Sequence, residues 1–132
     1  MAKKENAVDA ENLPRYQIDL TETLERSIDS MIISRMSGSD KGLSKLSTRK
    51  IIGAFAKSAG TNPEFLPPHT PLKEAAFRIL VANRNKPMSA DEISAKLSAQ
   101  WETSSSPRDI SPTVIAKILV KADNYSIRVI SE

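Results

Sequence analysis

Helix-start signals divide the second half of the chain, and they constrain its fold more than any other feature. Each signal places a capping hydroxyl either before a proline, which is favoured at the first helical position, or three residues before a glutamate that completes a capping box. Apolar residues recur at helical spacing after each signal. We therefore predict three helices here, and their start signals are Thr70-Pro71, Ser89 with Glu92, and Ser111-Pro112.

The chain around these helices divides into four regions. Residues 1–15 are polar and aperiodic, which predicts a disordered arm. Residues 16–60 form a helical N-terminal extension, and residues 61–71 hold four of the eight prolines, which predicts a stiff linker. Residues 72–132 form the C-terminal domain, which ends in a strand because apolar and polar residues alternate from residue 125.

The N-terminal extension contains two predicted helices. The first spans residues 19–37, with Asp19 and Glu22 as a capping pair, and the second spans residues 47–59, with Ser47 as its cap. Apolar residues form one broad stripe along the first helix. Its members are Leu20, Leu24, Ile28, Met31, Ile32 and Met36.

Composition excludes most catalytic and cofactor-binding classes. The 132 residues include no cysteine, one histidine (His69) and four glycines, so we expect no thiol or metal chemistry and no glycine-rich phosphate loop. The acids Asp91 and Glu92 are explained by helix capping, and Asp109 has no base beside it. We therefore expect a binding protein without cofactors, not an enzyme.

No apolar run approaches the length of a membrane span, and the first residues lack a signal peptide core, so we expect a cytoplasmic protein with no membrane partner.

Positive charge is concentrated in the middle of the chain. The net charge is only +3, yet residues 35–57 carry six basic side chains and one acidic side chain. A cluster of this kind suits the phosphate backbone of a nucleic acid, which basic side chains bind without regard to base sequence. The alternative is a solvated helix face and loop.

The order of predicted elements resembles a known superfamily. Helix, short extended segment, capped helix, loop, capped helix and strand follow one another in LKEAAFRILVANRNKPMSADEISAKL and ISPTVIAKILVKADNYSIRVI. This order resembles the winged helix-turn-helix superfamily over about residues 71–130. Within it, the pattern is similar to the type found fused to chromatin and restriction proteins and in a small RNA polymerase subunit. The resemblance implies a winged-helix-like three-helix domain with a minimal C-terminal β strand. Together with the two N-terminal helices predicted above, this gives a mainly α fold.

The resemblance also implies where DNA is contacted. In the superfamily the third helix enters the major groove, and here that helix is SPTVIAKILVK. A helical projection turns Thr113, Lys117 and Lys121 outward, together with Ala116 and Val120. The full set of candidate nucleic-acid-binding residues is Thr113, Lys117, Lys121, Arg108, Arg128, Arg35, Lys41, Lys45, Arg49, Lys50 and Lys57.

Two functions remain open. The first is DNA binding in a regulatory or architectural role, mainly through phosphates, and it would place the protein on the nucleoid. The second is a protein–protein interaction module in a larger intracellular complex, with a partner or a second copy docking on the stripe of helix 19–37. Three departures weaken the first: a long loop before the third helix, a single strand after it where a full wing needs a hairpin, and no arginine, asparagine or glutamine on its outward face. The last two favour the second function, but the order of elements and the basic segment lead us to predict DNA binding.

Overall fold

The computed structural model describes residues 14–21, 25–35, 42, 45–61, 66–101 and 109–130, with the backbone alone at 25–27 and 61. These residues form a mainly helical protein with one small antiparallel sheet. The helices are α1 (Glu25–Ser34), α2 (Thr48–Thr61), α3 (Leu72–Ala82), α4 (Ala90–Trp101) and α5 (Pro112–Leu119). The strands are β1 (Arg15–Ile18), β2 (Met88–Ser89) and β3 (Ile127–Ile130), and a 3₁₀ turn at Asp123–Tyr125 precedes β3.

Helix α3 is the centre of the packing. It contacts α2, α4, α5 and β1, and seven of its eleven residues are buried. Burial this extensive fits its sequence, because apolar residues lie on more than one side of the helix. The remaining helices each bury one face: α1 packs on α2, and α4 packs on α5.

Local capping explains where three of the helices begin, as predicted. The Ser47 hydroxyl accepts a hydrogen bond from the Lys50 amide at the start of α2. At α4 the capping box is complete: Ser89 Oγ accepts from the Glu92 amide at 3.1 Å, and Glu92 Oε1 accepts from the Ser89 amide at 2.9 Å. Ser111 caps α5 ahead of Pro112.

Two predicted helix starts are displaced. Pro71, not Thr70, stands at the N-cap of α3, and the Thr70 hydroxyl instead donates to the Pro67 carbonyl. The predicted helix 19–37 is shorter, because α1 begins at Glu25 and ends at Ser34. Asp19 does not start a helix: its amide donates to the Ser126 carbonyl, and its carboxylate accepts from the Thr21 amide. Glu22, the predicted partner of Asp19, lies outside the described residues.

Strand β1 was not predicted, and it is the central strand of the sheet. The order is β2-β1-β3, and both neighbours are antiparallel to β1. The register pairs Arg15 with Ile130 on one side and with Ser89 on the other. Residue 15, which the sequence assigned to a disordered arm, therefore lies in a strand, and residues 16–18 of the predicted helical extension lie in it as well.

The proline-rich stretch does not divide the described chain into two separate bodies. Strand β1 from the N-terminal region is hydrogen-bonded between two strands of the C-terminal region, and α2 packs on α3. Leu66, inside the predicted linker 61–71, is buried, and its carbonyl accepts a hydrogen bond from the Trp101 indole at 2.9 Å. One hydrophobic core thus spans both regions.

The side chain of Asn85 extends the pairing of β1. Its carbonyl oxygen accepts from the Ile18 amide at 2.9 Å, and its amide nitrogen donates to the Ile18 carbonyl at 3.0 Å. Asn85 is buried and has a φ of 57°, a left-handed conformation that asparagine tolerates better than most residues. The residue therefore ends α3 and fixes β1 at the same time.

We predict that Asn85→Ala lowers the free energy of unfolding by about 3 kcal/mol, because two backbone groups lose buried partners and alanine is strained at positive φ. Asn85→Gly removes the same hydrogen bonds without that strain, so its loss is expected to be about 1 kcal/mol smaller. Urea unfolding followed by circular dichroism measures both. Equal stability of Asn85→Ala and the wild type would contradict the anchoring role of this side chain.

Candidate nucleic-acid interface

The predicted outward residues lie on α5 and in the turn that follows it: Thr113 and Lys117 belong to the helix, whereas Lys121 lies two residues after its last residue, Leu119. Thr113, Lys117 and Lys121 are exposed, and Val120 is 64% exposed. The opposite side of the helix carries Ile115 and Leu119, which are buried beside α4. Ala116 is half-buried, so it lies at the edge of the exposed face and not at its centre. Arg108, the candidate that precedes α5, lies outside the described residues.

Helix α2 exposes a second basic face. Arg49, Lys50 and Lys57 are exposed, as is Lys45 shortly before the helix. Residues 45–61 contain no acidic side chain, so nothing within this segment neutralises the four cations. The other side of α2 buries apolar residues against α1 and α3, which holds the basic face outward. Lys41, also predicted in this group, lies outside the described residues.

Arg35 does not belong to this basic face. Its guanidinium forms a two-pronged ion pair with the Glu74 carboxylate, with distances of 2.7 Å from Nε and 2.8 Å from Nη2. It also donates to the Met31 carbonyl and lies 5.3 Å from the centre of the Phe77 ring. The prediction that Arg35 contacts phosphate therefore has no support in its position, because its donors are directed into the protein.

Glu74 is the buried centre of this ion-pair cluster. Arg35 and Arg78 both donate to its carboxylate, each with a shortest distance of 2.7 Å. Burial by itself raises the pKa of Glu74, but the hydrogen bonds from the two arginines outweigh it and lower the pKa to about 2. The hydrogen bond from Arg35 to Glu74 also raises the pKa of Arg35. Burial, followed by hydrogen bonding to Glu74, raises the pKa of Tyr125, whose ring lies 5.4 Å from that of Phe77.

Arg128 of β3 has a weaker partner. Its Nη1 lies 3.1 Å from the Asp123 carboxylate, and both side chains are largely exposed. Exposed pairs of this kind contribute little to stability, since water solvates both charges in the unpaired state. A phosphate therefore competes with Asp123 for this guanidinium at small cost. Arg128 stays a candidate contact, although it is not a free cation.

One cation near α2, Arg84, was not among the predicted nucleic-acid-binding residues. Arg84 follows α3, far from α2 in the sequence, and its Nη1 lies only 3.2 Å from where a Cβ on Gly53 would stand. No periodicity places residue 84 beside residue 53, because the contact depends on how α3 packs against α2 and on the turn that ends α3. The two cation-bearing surfaces are therefore the α5 face (Thr113, Lys117, Lys121) and the α2 face (Arg49, Lys50, Lys57), the latter with Arg84 beside it.

No protein-family model, curated protein or solved structure matches this chain. Within the described ranges, no helix is both long and apolar enough to cross a bilayer. The same residues bring together no group of three histidine, cysteine, aspartate or glutamate side chains suited to a metal ion.

The Glu74 cluster predicts how stability depends on pH. Because the folded pKa of about 2 lies below the ordinary value of 4.5, the charged carboxylate stabilises the fold at neutral pH, and this contribution is lost as the pH falls from about 4.5 to about 2. We expect Glu74→Gln to lower the free energy of unfolding by about 2 to 3 kcal/mol at pH 7. The difference from the wild type should shrink through that acid range, as measured by urea unfolding at a series of pH values. A difference that stays constant from pH 6 to pH 2.5 would contradict the assignment.

Proposed function

We propose that the protein binds DNA in a regulatory or architectural role and contacts mainly phosphates. The observation that carries this proposal is the exposed face of α5. That helix is held by Ile115 and Leu119 against α4, so Lys117 and Lys121 extend outward from a rigid support. Lys117 lies in the last turn of α5 and Lys121 follows two residues after its end, and neither forms an ion pair with another described residue.

The arrangement of elements supports a winged-helix interpretation. Helix α3, strand β2, helices α4 and α5 and strand β3 follow in the order expected from the resemblance. A full wing requires a second strand beside β3, and β1 pairs there along all four residues, from Arg15 with Ile130 to Ile18 with Ile127. The N-terminal strand β1 thus holds the position beside β3 that a second wing strand would take. On this interpretation α5 is the recognition helix.

The chemistry of the α5 face favours phosphate contact over base reading. Base edges are usually recognised by arginine, asparagine or glutamine with paired hydrogen bonds, and the outward positions of α5 hold none of these. Lysine binds phosphate as a point charge through a flexible stem. We therefore expect affinity that depends steeply on salt and only modestly on base sequence, which suits a protein located along the nucleoid.

A protein-interaction role is the second candidate, and two exposed apolar side chains favour it. Val120 at the end of α5 is 64% exposed, and Val129 on β3 is 59% exposed. The stripe of the predicted helix 19–37 does not offer such a surface, because Ile28 and Ile32 are fully buried within this chain. Among the other described members, Leu20 and Met31 are half-buried against the same core, so a homodimer or protein partner would find little exposed surface on that stripe.

We predict that Lys117→Ala combined with Lys121→Ala weakens binding to duplex DNA and lowers the slope of log affinity against log salt by roughly two units, one for each lost phosphate contact. A fluorescence anisotropy titration of a labelled duplex of mixed sequence, repeated over a series of KCl concentrations, measures this slope.

The charge-matched control is Lys73→Ala combined with Lys86→Ala, because Lys73 lies in the first turn of α3 and Lys86 lies after that helix, outside both α5 and α2. The control should retain the wild-type slope to within half a unit. An equal loss in the two double variants would remove α5 as the contact face. A wild-type protein that binds no duplex at low salt would remove DNA binding altogether and leave the protein-interaction role.

A further inference from the structure

The guanidinium of Arg84 lies against Gly53 of α2, in space that a side chain at position 53 would partly fill. Its Nη1 is 3.2 Å from the point where a Cβ on Gly53 would stand, closer than side chains ordinarily approach such an atom. A larger residue at position 53 would therefore displace the guanidinium. No hydrogen bond or ion pair joins Arg84 to a described acidic residue, so this contact does not serve a charge pair within the described part of the chain.

Gly53 is surrounded by the cations of α2. Arg49 and Lys50 precede it by four and three residues, and Lys57 follows it by four, so all three lie within one helical turn of it on the outward face. Adding Arg84 brings four positive charges around one glycine. Like charges at such spacing repel one another, and residues 45–61 contain no acid to offset the repulsion. An arrangement of this kind is stabilised when an anion binds it.

The backbone fixes Arg84 before any anion arrives. Its amide donates to the Val81 carbonyl at 2.9 Å, and the amide of Asn85 donates to the Leu80 carbonyl at 2.7 Å. Arg84 and Asn85 both adopt positive φ, at 58° and 57°, which turns the chain sharply at the end of α3. The hydrogen bonds of the Asn85 side chain to Ile18 then hold this turn against β1. Less ordering is therefore required of Arg84 on binding than of a side chain on a loose loop.

The shape of the cluster indicates an extended anion. Lys50 and Lys57 are seven residues apart, which places them about 10 Å apart along the helix axis. A single phosphate group is too small to reach both, whereas a nucleic-acid backbone presents a run of phosphates at close intervals. The same face carries no acidic residue and, at Gly60, no side chain and no neighbouring atom within 4 Å of where a Cβ would stand, so a backbone can approach α2 closely there.

We infer that Arg84, Arg49, Lys50 and Lys57 form a second contact surface for the phosphate backbone of double-stranded DNA, carried by α2 and the turn after α3. The inference rests on the proposed DNA-binding function and extends it beyond α5. Arg84 is a phosphate-binding residue of this surface, and Gly53 is the positioning residue that leaves space for its guanidinium.

Arg84→Gln tests the inference against Lys86→Gln as a matched control. Both variants lose one charge within the same turn, but Lys86 lines a groove with Glu92 and Ala95 of α4 and does not lie against α2. In the anisotropy titration over KCl, Arg84→Gln should lower the salt slope by about one unit, and Lys86→Gln should leave it nearly unchanged. Equal slopes for the two variants overturn the inference.

Gly53→Glu provides a second test, which keeps all four cations in the chain but moves the guanidinium of Arg84 from its place against α2. It places a carboxylate among the four positive charges, and glutamate is a better helix former than glycine, so folding is preserved. Duplex affinity at 100 mM KCl should fall by about tenfold, while Ser98→Glu, the same charge change at an exposed position of α4, should lower it by about twofold or less. Thermal unfolding by circular dichroism confirms that each variant is folded before titration.

The outcomes separate this inference from the proposed function. Loss of binding in the α5 double variant together with unchanged binding in Arg84→Gln and Gly53→Glu would retain DNA binding and overturn the second surface. Reduced binding in the Arg84 and Gly53 variants, beyond that of their controls, supports it. Wild-type protein that binds no duplex at low salt overturns both, and an acidic protein partner for the α2 face then becomes the alternative to pursue.

Discussion

The pairing of β1 with two other strands is the interaction on which the rest of the structure depends. β2 and β3 do not pair with each other, and each reaches the sheet only through β1. Tyr16 and Ile18 of β1 are buried in the core, so the strand contributes apolar contacts as well as backbone hydrogen bonds. Because β1 precedes α1 and α2 in the chain, this pairing also holds both helices near α3. The N-terminal region is therefore part of the fold and not an appendage to it.

A second constraint acts on the same region through the buried carboxylate of Glu74. A buried ion pair adds little stability compared with apolar packing, but separating its partners is costly because a charge is then left buried without a partner. The pair therefore favours the one packing arrangement in which both partners meet. Here Arg35 follows the last residue of α1, and its pairing with Glu74 sets where α1 ends relative to α3.

The number of basic residues in the sequence consequently overstates the charge available to a partner. Within the predicted basic group at 35–57, Arg35 pairs with the buried carboxylate of Glu74, whereas the described cations of α2 are exposed to solvent.

Sequence reasoning succeeded where the determining interactions are local. The starts of α2, α4 and α5 follow from capping residues within four positions, and the exposed face of α5 follows from helical periodicity. It failed where the partner is distant. β1 has only four residues, too few for a strand pattern to stand out, and Arg35 lies 39 residues from Glu74. Arg84 reaches α2 through a turn in which Arg84 and Asn85 both have positive φ. The sequence does not predict this conformation, because neither residue is a glycine.

The distribution of exposed charge bears on how the chain is used. α5 and the turn that follows it contribute two lysines with an exposed valine between them, whereas α2 and the turn after α3 bring four cations together. For a DNA-binding role, the element that resembles a recognition helix therefore carries the smaller share of the charge, and the N-terminal region carries the larger share. The same region supplies the central strand of the sheet. In that role, phosphate contact would depend on the same stretch of chain as the fold, because displacing β1 releases Asn85 from Ile18 and with it the turn that holds Arg84 against Gly53.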